Sequence, residues 1–166
     1  MKKNKGFTLI ELLVVITIIG ILMSILLPAV GGAFKKAKTT RAYSEVRSLE
    51  TAMKAFLQEY GTFPMQKTAT DHTYTSGEYP NLITALRGLN SSINPRNIPF
   101  LEVGDESLGS LGALIDPWEG NYQVAADWNF DNRIEDVSYT GTVMDVSGHN
   151  VIVWSTNNPS INTWMQ

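Results

Sequence analysis

The chain has no cysteine among its 166 residues. That excludes a disulfide framework, a thiolate metal site and a cysteine nucleophile. No Walker phosphate loop, no His-Glu-x-x-His helix and no Gly-x-Ser-x-Gly elbow occurs in it. The two histidines, His72 and His149, stand isolated in polar stretches and read as ordinary surface residues. An enzyme reading therefore has no residues to stand on. Basic residues are scarce beyond residue 60, where four face twelve acidic ones, a formal charge of -8. Neutralising phosphate needs clustered Lys and Arg, so nucleic acid is not an expected partner. Charge of either sign is missing from residues 12–27, sixteen in a row.

What is present surrounds that uncharged run. Residues 7–27 form an apolar segment of 21 residues, about 31 Å long as a helix. That length matches the hydrocarbon core of a bilayer. Glu11 is the one ionisable group in it, and an ionisable group there is a functional-site candidate by default. Lys2, Lys3 and Lys5 precede the segment; Lys35, Lys36, Lys38 and Arg41 follow it. Charge bias does not separate the two orientations cleanly. The first cluster lies closer to the apolar edge, which favours the N-terminus inside. Ala29-Val30-Gly31 is a small-x-small triplet that a signal peptidase accepts, so release of a soluble binding module is a rival reading. The position of Glu11 and the continuing helical pattern stand against it.

Ala42, Val46, Leu49, Met53, Phe56 and Tyr60 recur at spacings of three and four, one face of a helix. Arg41, Glu45, Arg47, Glu50, Lys54 and Glu59 occupy the other side. Gly61 is a C-cap candidate and Pro64 stops continuation. A helix over residues 7–60 would be about 80 Å long. Pro28 removes an N–H and crowds the carbonyl of Ser24, so a kink or local unwinding is expected there. Residues 65–114 read as a long irregular connection with one short helix at 81–89 and a loop at 91–99. Asp116-Pro117-Trp118-Glu119-Gly120-Asn121-Tyr122 reads as a turn opening a strand through Tyr122, Val124 and Ala126. Further strands are expected at 137–143 and 150–155.

Lys5-Gly6-Phe7-Thr8-Leu9-Ile10-Glu11-Leu12-Leu13-Val14-Val15-Ile16 resembles the class III signal of type IV pilins and type II secretion pseudopilins. The Asp116 turn resembles the one that opens the sheet of the major pseudopilin, with Glu119-Gly120 where the family usually has glycine and another residue. Tyr60-Gly61-Thr62-Phe63-Pro64 is similar to the helix exit of that type. The absent cysteines also leave out the C-terminal disulfide loop of many type IVa pilins.

The resemblance implies an α+β fold, a long N-terminal helix packed on a small antiparallel sheet. It implies a leader over 1–6, an assembly helix over 7–27, an amphipathic helix over 28–60, an αβ-loop over 61–115 and a sheet head over 116–166. Prepilin peptidase would cut between Gly6 and Phe7, and Phe7 would become the N-methylated first residue. Glu11 would then neutralise the Phe7 ammonium of a neighbouring subunit, which sets register more than it stabilises. The alternative is that Glu11 snorkels to the interface without a role. The implied protein sits in the inner membrane by a single span with its head outside the cytoplasm. It polymerises into a pseudopilus with an inner-membrane assembly platform and minor pseudopilins as partners. A type IV pilin for adhesion, motility or DNA uptake is the alternative.

A possible Ca²⁺ site is the one cofactor indicated. Asp127, Asn129 and Asp131 stand at positions one, three and five of an EF-hand-like loop, with the Arg133 carbonyl at seven and Glu135 at nine. Position six is Asn132 rather than glycine, and position twelve is Ser138, with Asp136 the candidate substitute ligand. Asx turns at a hairpin tip are the plainer reading. The calcium loop of the major pseudopilins lies after the final strand, and residues 155–160 here hold no acidic residue. That site does not carry over.

Overall fold

The computed structural model describes residues 7–65, 70–109 and 111–165, the side chain of Ala29 excepted. The leader expected at 1–6, Gly6 included, lies outside the described residues. The described chain divides into two compact units, one up to Lys38 and one from Thr39 onward.

Helix α1, Leu9–Tyr60, runs through both as one 52-residue element. It continues unbroken past Pro28, so the local unwinding expected there is absent. Pro28 lacks the N–H that Ser24 would receive, yet the flanking turns hold helical geometry around that one missing bond. Gly61 ends the helix with φ +68° and donates its N–H to the Leu57 carbonyl at 2.8 Å. Only glycine takes that conformation freely.

In the second unit, Ala42, Val46, Leu49, Met53 and Phe56 are fully buried, as their spacing predicts. Glu45 departs from the predicted solvent face. It is half-buried and accepts the Tyr122 hydroxyl at 2.6 Å and Arg41 Nε at 2.8 Å. Burial first, and then Glu45, push the Tyr122 hydroxyl far above its usual range, so it stays a proton donor to the carboxylate.

The head contains β1 (His72–Thr73), α2 (Tyr79–Leu86), β2 (Tyr122–Ala126), β3 (Arg133–Tyr139), β4 (Thr142–Ser147) and β5 (Val151–Ser155). Strands β1, β2 and β5 form an antiparallel sheet with β2 central and Val124 opposite Val153. Strands β3 and β4 form a separate hairpin. One face of the sheet, with Tyr122, Val124, Ala126, Val151 and Val153, packs with α1 and α2. The other, with Ala125, Ile152 and Trp154, packs with Ile134, Val137 and Val146 of the hairpin. Burial on both faces explains why β5 reads Val-Ile-Val-Trp without polar alternation.

The structure corrects three further sequence expectations. The strand expected at 137–143 is the hairpin turn itself. Tyr139 pairs with Thr142 across Thr140 (φ +50°) and Gly141 (φ +79°), a two-residue loop with both φ positive. Helix α2 spans 79–86 rather than 81–89. It stops because Gly88 has φ +75° and a Cβ there would lie 2.7 Å from the Asn97 carbonyl oxygen. Leu89 is left exposed. His72 is not in a loop but in β1, with Nε2 at 3.1 Å from Glu78 Oε2.

The Asp116 turn is built as its sequence requires. Asp116 is buried, and its Oδ1 accepts the N–H groups of Trp118 at 2.9 Å and Gly120 at 2.7 Å. Its Oδ2 accepts the Ser155 hydroxyl of β5 at 2.5 Å. Glu119 takes the left-handed position, φ +68°. A Cβ on Gly120 would lie 2.6 Å from Asn157 Nδ2. The departure from the family pattern thus puts a side chain where φ is positive and keeps glycine where the space is closed.

Candidate functional site

Two places in the molecule hold the candidate residues, the start of α1 and the loop between β2 and β3. At the first, Thr8-Leu9-Ile10-Glu11 forms a capping box. The Thr8 N–H donates to Glu11 Oε2 at 2.8 Å, and the Thr8 hydroxyl donates to the same oxygen at 2.7 Å. The Glu11 N–H donates to Thr8 Oγ1 at 3.3 Å. The carboxylate is thereby turned toward the chain start, where the first N–H groups of a helix lack partners. Sequence reasoning singled out Glu11 and missed Thr8, although Thr-x-x-Glu before an apolar run is the signature of this cap.

Among the described residues nothing covers the helix around this cap. The large apolar side chains described between Phe7 and Phe34 are 44–89% exposed. A soluble monomer does not tolerate a continuous apolar surface of this extent. The helix is long and apolar enough to cross a membrane. Phe7, at the expected mature start, is 78% exposed and lies just before the helix. Pro28 lies within α1.

The second place collects the predicted calcium residues in part. Asp127 is fully buried, directly after β2. Its Oδ2 accepts the Asn132 N–H at 2.9 Å. Asn129 Oδ1 accepts the Asp131 N–H at 3.0 Å, and Asp131 Oδ1 accepts the Arg133 N–H at 2.9 Å. Asn129 Nδ2 donates to Asp131 Oδ2 at 3.2 Å. Asn132 takes φ +66°, the conformation that position six of such a loop demands. Glu135 and Asp136 lie on β3, at the irregularity between Ile134 and Val137. Asp136 has φ +54° and donates its N–H to Asp145 Oδ1 at 3.2 Å. The Arg133 guanidinium bonds to Asp145 and lies 3.6 Å from Glu135 Oε1. Its hydrogen bond holds the Asp145 carboxyl below the usual range. Asp71, which the sequence did not single out, braces the loop from a distance. Its two oxygens accept the N–H groups of Trp128 at 3.2 Å and Glu135 at 2.8 Å. Among the described residues no three His, Asp or Glu side chains converge as a metal cluster.

Comparison with known proteins bears on the first place. A family model described as the prokaryotic N-terminal methylation motif matches residues 1–27. The type II secretion system core protein G of Escherichia coli (strain K12) is 33% identical over 121 residues, 72% of this chain and 70% of its own length. The type IV major alpha-pilin of Moraxella bovis is 35% identical over 120 residues, 69% of this chain and 70% of its own. The chain belongs to the type IV pilin and pseudopilin family.

Fimbrial protein Q of Moraxella bovis is 44% identical to this pilin-family chain over 94 residues, 57% of it. The chain spans only 50–60% of the length of the fimbrial relatives it matches at 42–44% identity. No solved structure matches it significantly. The fold agrees with the family expectation, a long N-terminal helix with a small antiparallel sheet.

Proposed function

We propose that this pilin-family chain is a filament subunit of the pseudopilus type, acting in type II protein secretion. The observation that carries the reading is the uncovered apolar length of α1 with one carboxylate at its start. A bilayer covers such a surface before assembly, and a bundle of identical helices covers it afterwards. Both environments disfavour a lone carboxylate, so Glu11 needs a cation. Cleavage between Gly6 and Phe7 supplies one, the new ammonium of Phe7. The cap geometry keeps Glu11 facing that end.

In this reading prepilin peptidase cuts the chain and Phe7 is methylated. Subunits wait in the inner membrane with their heads outside the cytoplasm. An assembly platform, with minor pseudopilins, adds them at the filament base. A type IV pilin for adhesion, motility or DNA uptake would use the same helix. The absence of cysteine and the Asp116 turn favour the secretion role.

Intact-mass measurement and N-terminal sequencing of the protein from native membranes test the processing step. A chain that starts at methylated Phe7 is expected. A soluble chain starting near Gly32 would mean ordinary secretion and would remove the role given to Glu11.

A further inference from the structure

The loop after β2 holds a buried charge without a counterpart. Asp127 is fully buried, and its Oδ1 has no hydrogen-bond partner. Among the described residues no basic side chain pairs with it, and the nearby Arg133 is held by Asp145 and Glu135. A buried carboxylate oxygen without a donor or cation is costly. The carboxylate faces the loop interior, because its other oxygen accepts the Asn132 N–H across the loop.

We propose that the 127–133 loop binds one Ca²⁺ ion, with Asp127, Asn129 and Asp131 as its side-chain ligands. Asp127 Oδ1 lacks any other partner. The acceptor oxygens of Asn129 and Asp131 each take one N–H from the loop, which leaves a second lone pair free for a cation. Those same hydrogen bonds curl the loop between Asn129 and Arg133, and the Asn132 N–H ties that curl back to Asp127. Asn132, left-handed, makes the sharp turn that position six requires. Two carboxylates, an amide and main-chain carbonyls are hard oxygen donors of mixed kind, which Ca²⁺ accepts in flexible numbers. Mg²⁺ demands stricter octahedral geometry and holds its water. Position twelve is Ser138, so the bidentate carboxylate of the strongest sites is missing. The expected affinity is that of extracellular modules, a Kd of about 10⁻⁴–10⁻³ M. The ion would tie the end of β2 to the start of β3 and so join the sheet to the hairpin. This site is independent of the filament reading.

The test uses the full chain in detergent micelles, with Ca²⁺ as ligand and Tb³⁺ as a luminescent stand-in excited through tryptophan. One Ca²⁺ per chain is expected, with Tb³⁺ emission displaced by Ca²⁺. Raising Ca²⁺ to a hundredfold over Kd should raise the melting temperature by about 5–10 °C. Asp131→Ala removes the exposed acceptor of the Arg133 N–H, so it should melt slightly lower in chelator, keep the fold, and weaken Ca²⁺ binding by about tenfold or more. Asp127→Asn keeps the acceptor for Asn132 but removes the buried charge. It should melt higher than the native chain in chelator and lose the Ca²⁺ shift. Absence of any Ca²⁺-dependent shift in the native chain, or native Ca²⁺ affinity in Asp131→Ala, would overturn the proposal.

Discussion

Glu11→Gln chains are expected to be cut and methylated like the native chain and to yield about a hundredfold fewer filaments, or none. The substitution separates the helix cap made by Glu11 from its proposed pairing with a neighbouring subunit. A glutamine side chain still accepts the Thr8 N–H that Glu11 accepts at 2.8 Å, so the helix start keeps its cap. What disappears is the negative charge. The Phe7 ammonium of a neighbouring subunit is then left alone in an apolar bundle. Breaking a buried pair by removing one partner costs about 3–5 kcal/mol, which is more than a hundredfold in an association constant. The cost recurs at every subunit added. Glu11→Ala removes the cap as well and should be no better. The measurement is filament protein in the sheared cell-surface fraction, normalised to mature subunit in the membrane. Native yield from Glu11→Gln would mean that Glu11 serves only as a helix cap, and the pairing role would fall.

Asp116→Ala should have the largest effect on the head itself. One buried carboxylate accepts the N–H groups of Trp118 and Gly120 and the hydroxyl of Ser155. Removing it leaves three donors without a partner, the Ser155 hydroxyl buried and the two N–H groups part-buried, where a fully buried one costs about 1–3 kcal/mol. The expected loss is about 3–5 kcal/mol, a large part of the roughly 5–15 kcal/mol that holds a domain folded. Asp116→Asn keeps an acceptor for the two N–H groups and should lose clearly less. Urea unfolding followed by tryptophan fluorescence measures both. A loss below about 1 kcal/mol for Asp116→Ala would show that water replaces the carboxylate and that the turn does not depend on it.

These two positions also show what was legible in the sequence. Glu11 stands out because charge is otherwise missing around it, and Asp116 because proline and tryptophan follow it in a turn pattern. The stripe from Ala42 to Phe56 was legible because a helix repeats every three or four residues. Strand β5 was legible as an unbroken apolar run. The β3–β4 hairpin was not. Its turn lies at Thr140-Gly141, inside a stretch of strand-forming residues, and Thr140 gives no sign of its positive φ. Glu45 looked solvent-facing because its partner, Tyr122, lies 77 residues away. Asp71 was invisible for the same reason, since it braces backbone groups 57 and 64 residues further on. Local patterns carry periodicity and turn chemistry. They do not carry contacts that only the folded topology creates.

The candidate sites divide along the same line. The proposed cleavage point at Gly6 and Phe7 and the carboxylate at Glu11 belong to one continuous motif within residues 1–27. Thr8 belongs to it too, and its bonds to Glu11 give that carboxylate a fixed direction before any neighbour arrives. The loop at Asp127 shows its ligand spacing in the sequence. The buried, unpartnered oxygen that gives the spacing weight emerges only in the fold.

The most direct test of the account is to express the native chain with a type II assembly machinery and image the sheared fraction by electron microscopy. Thin filaments that contain this chain, cut at Phe7, are the predicted result. A correctly cut chain that stays monomeric in the membrane would contradict the filament role.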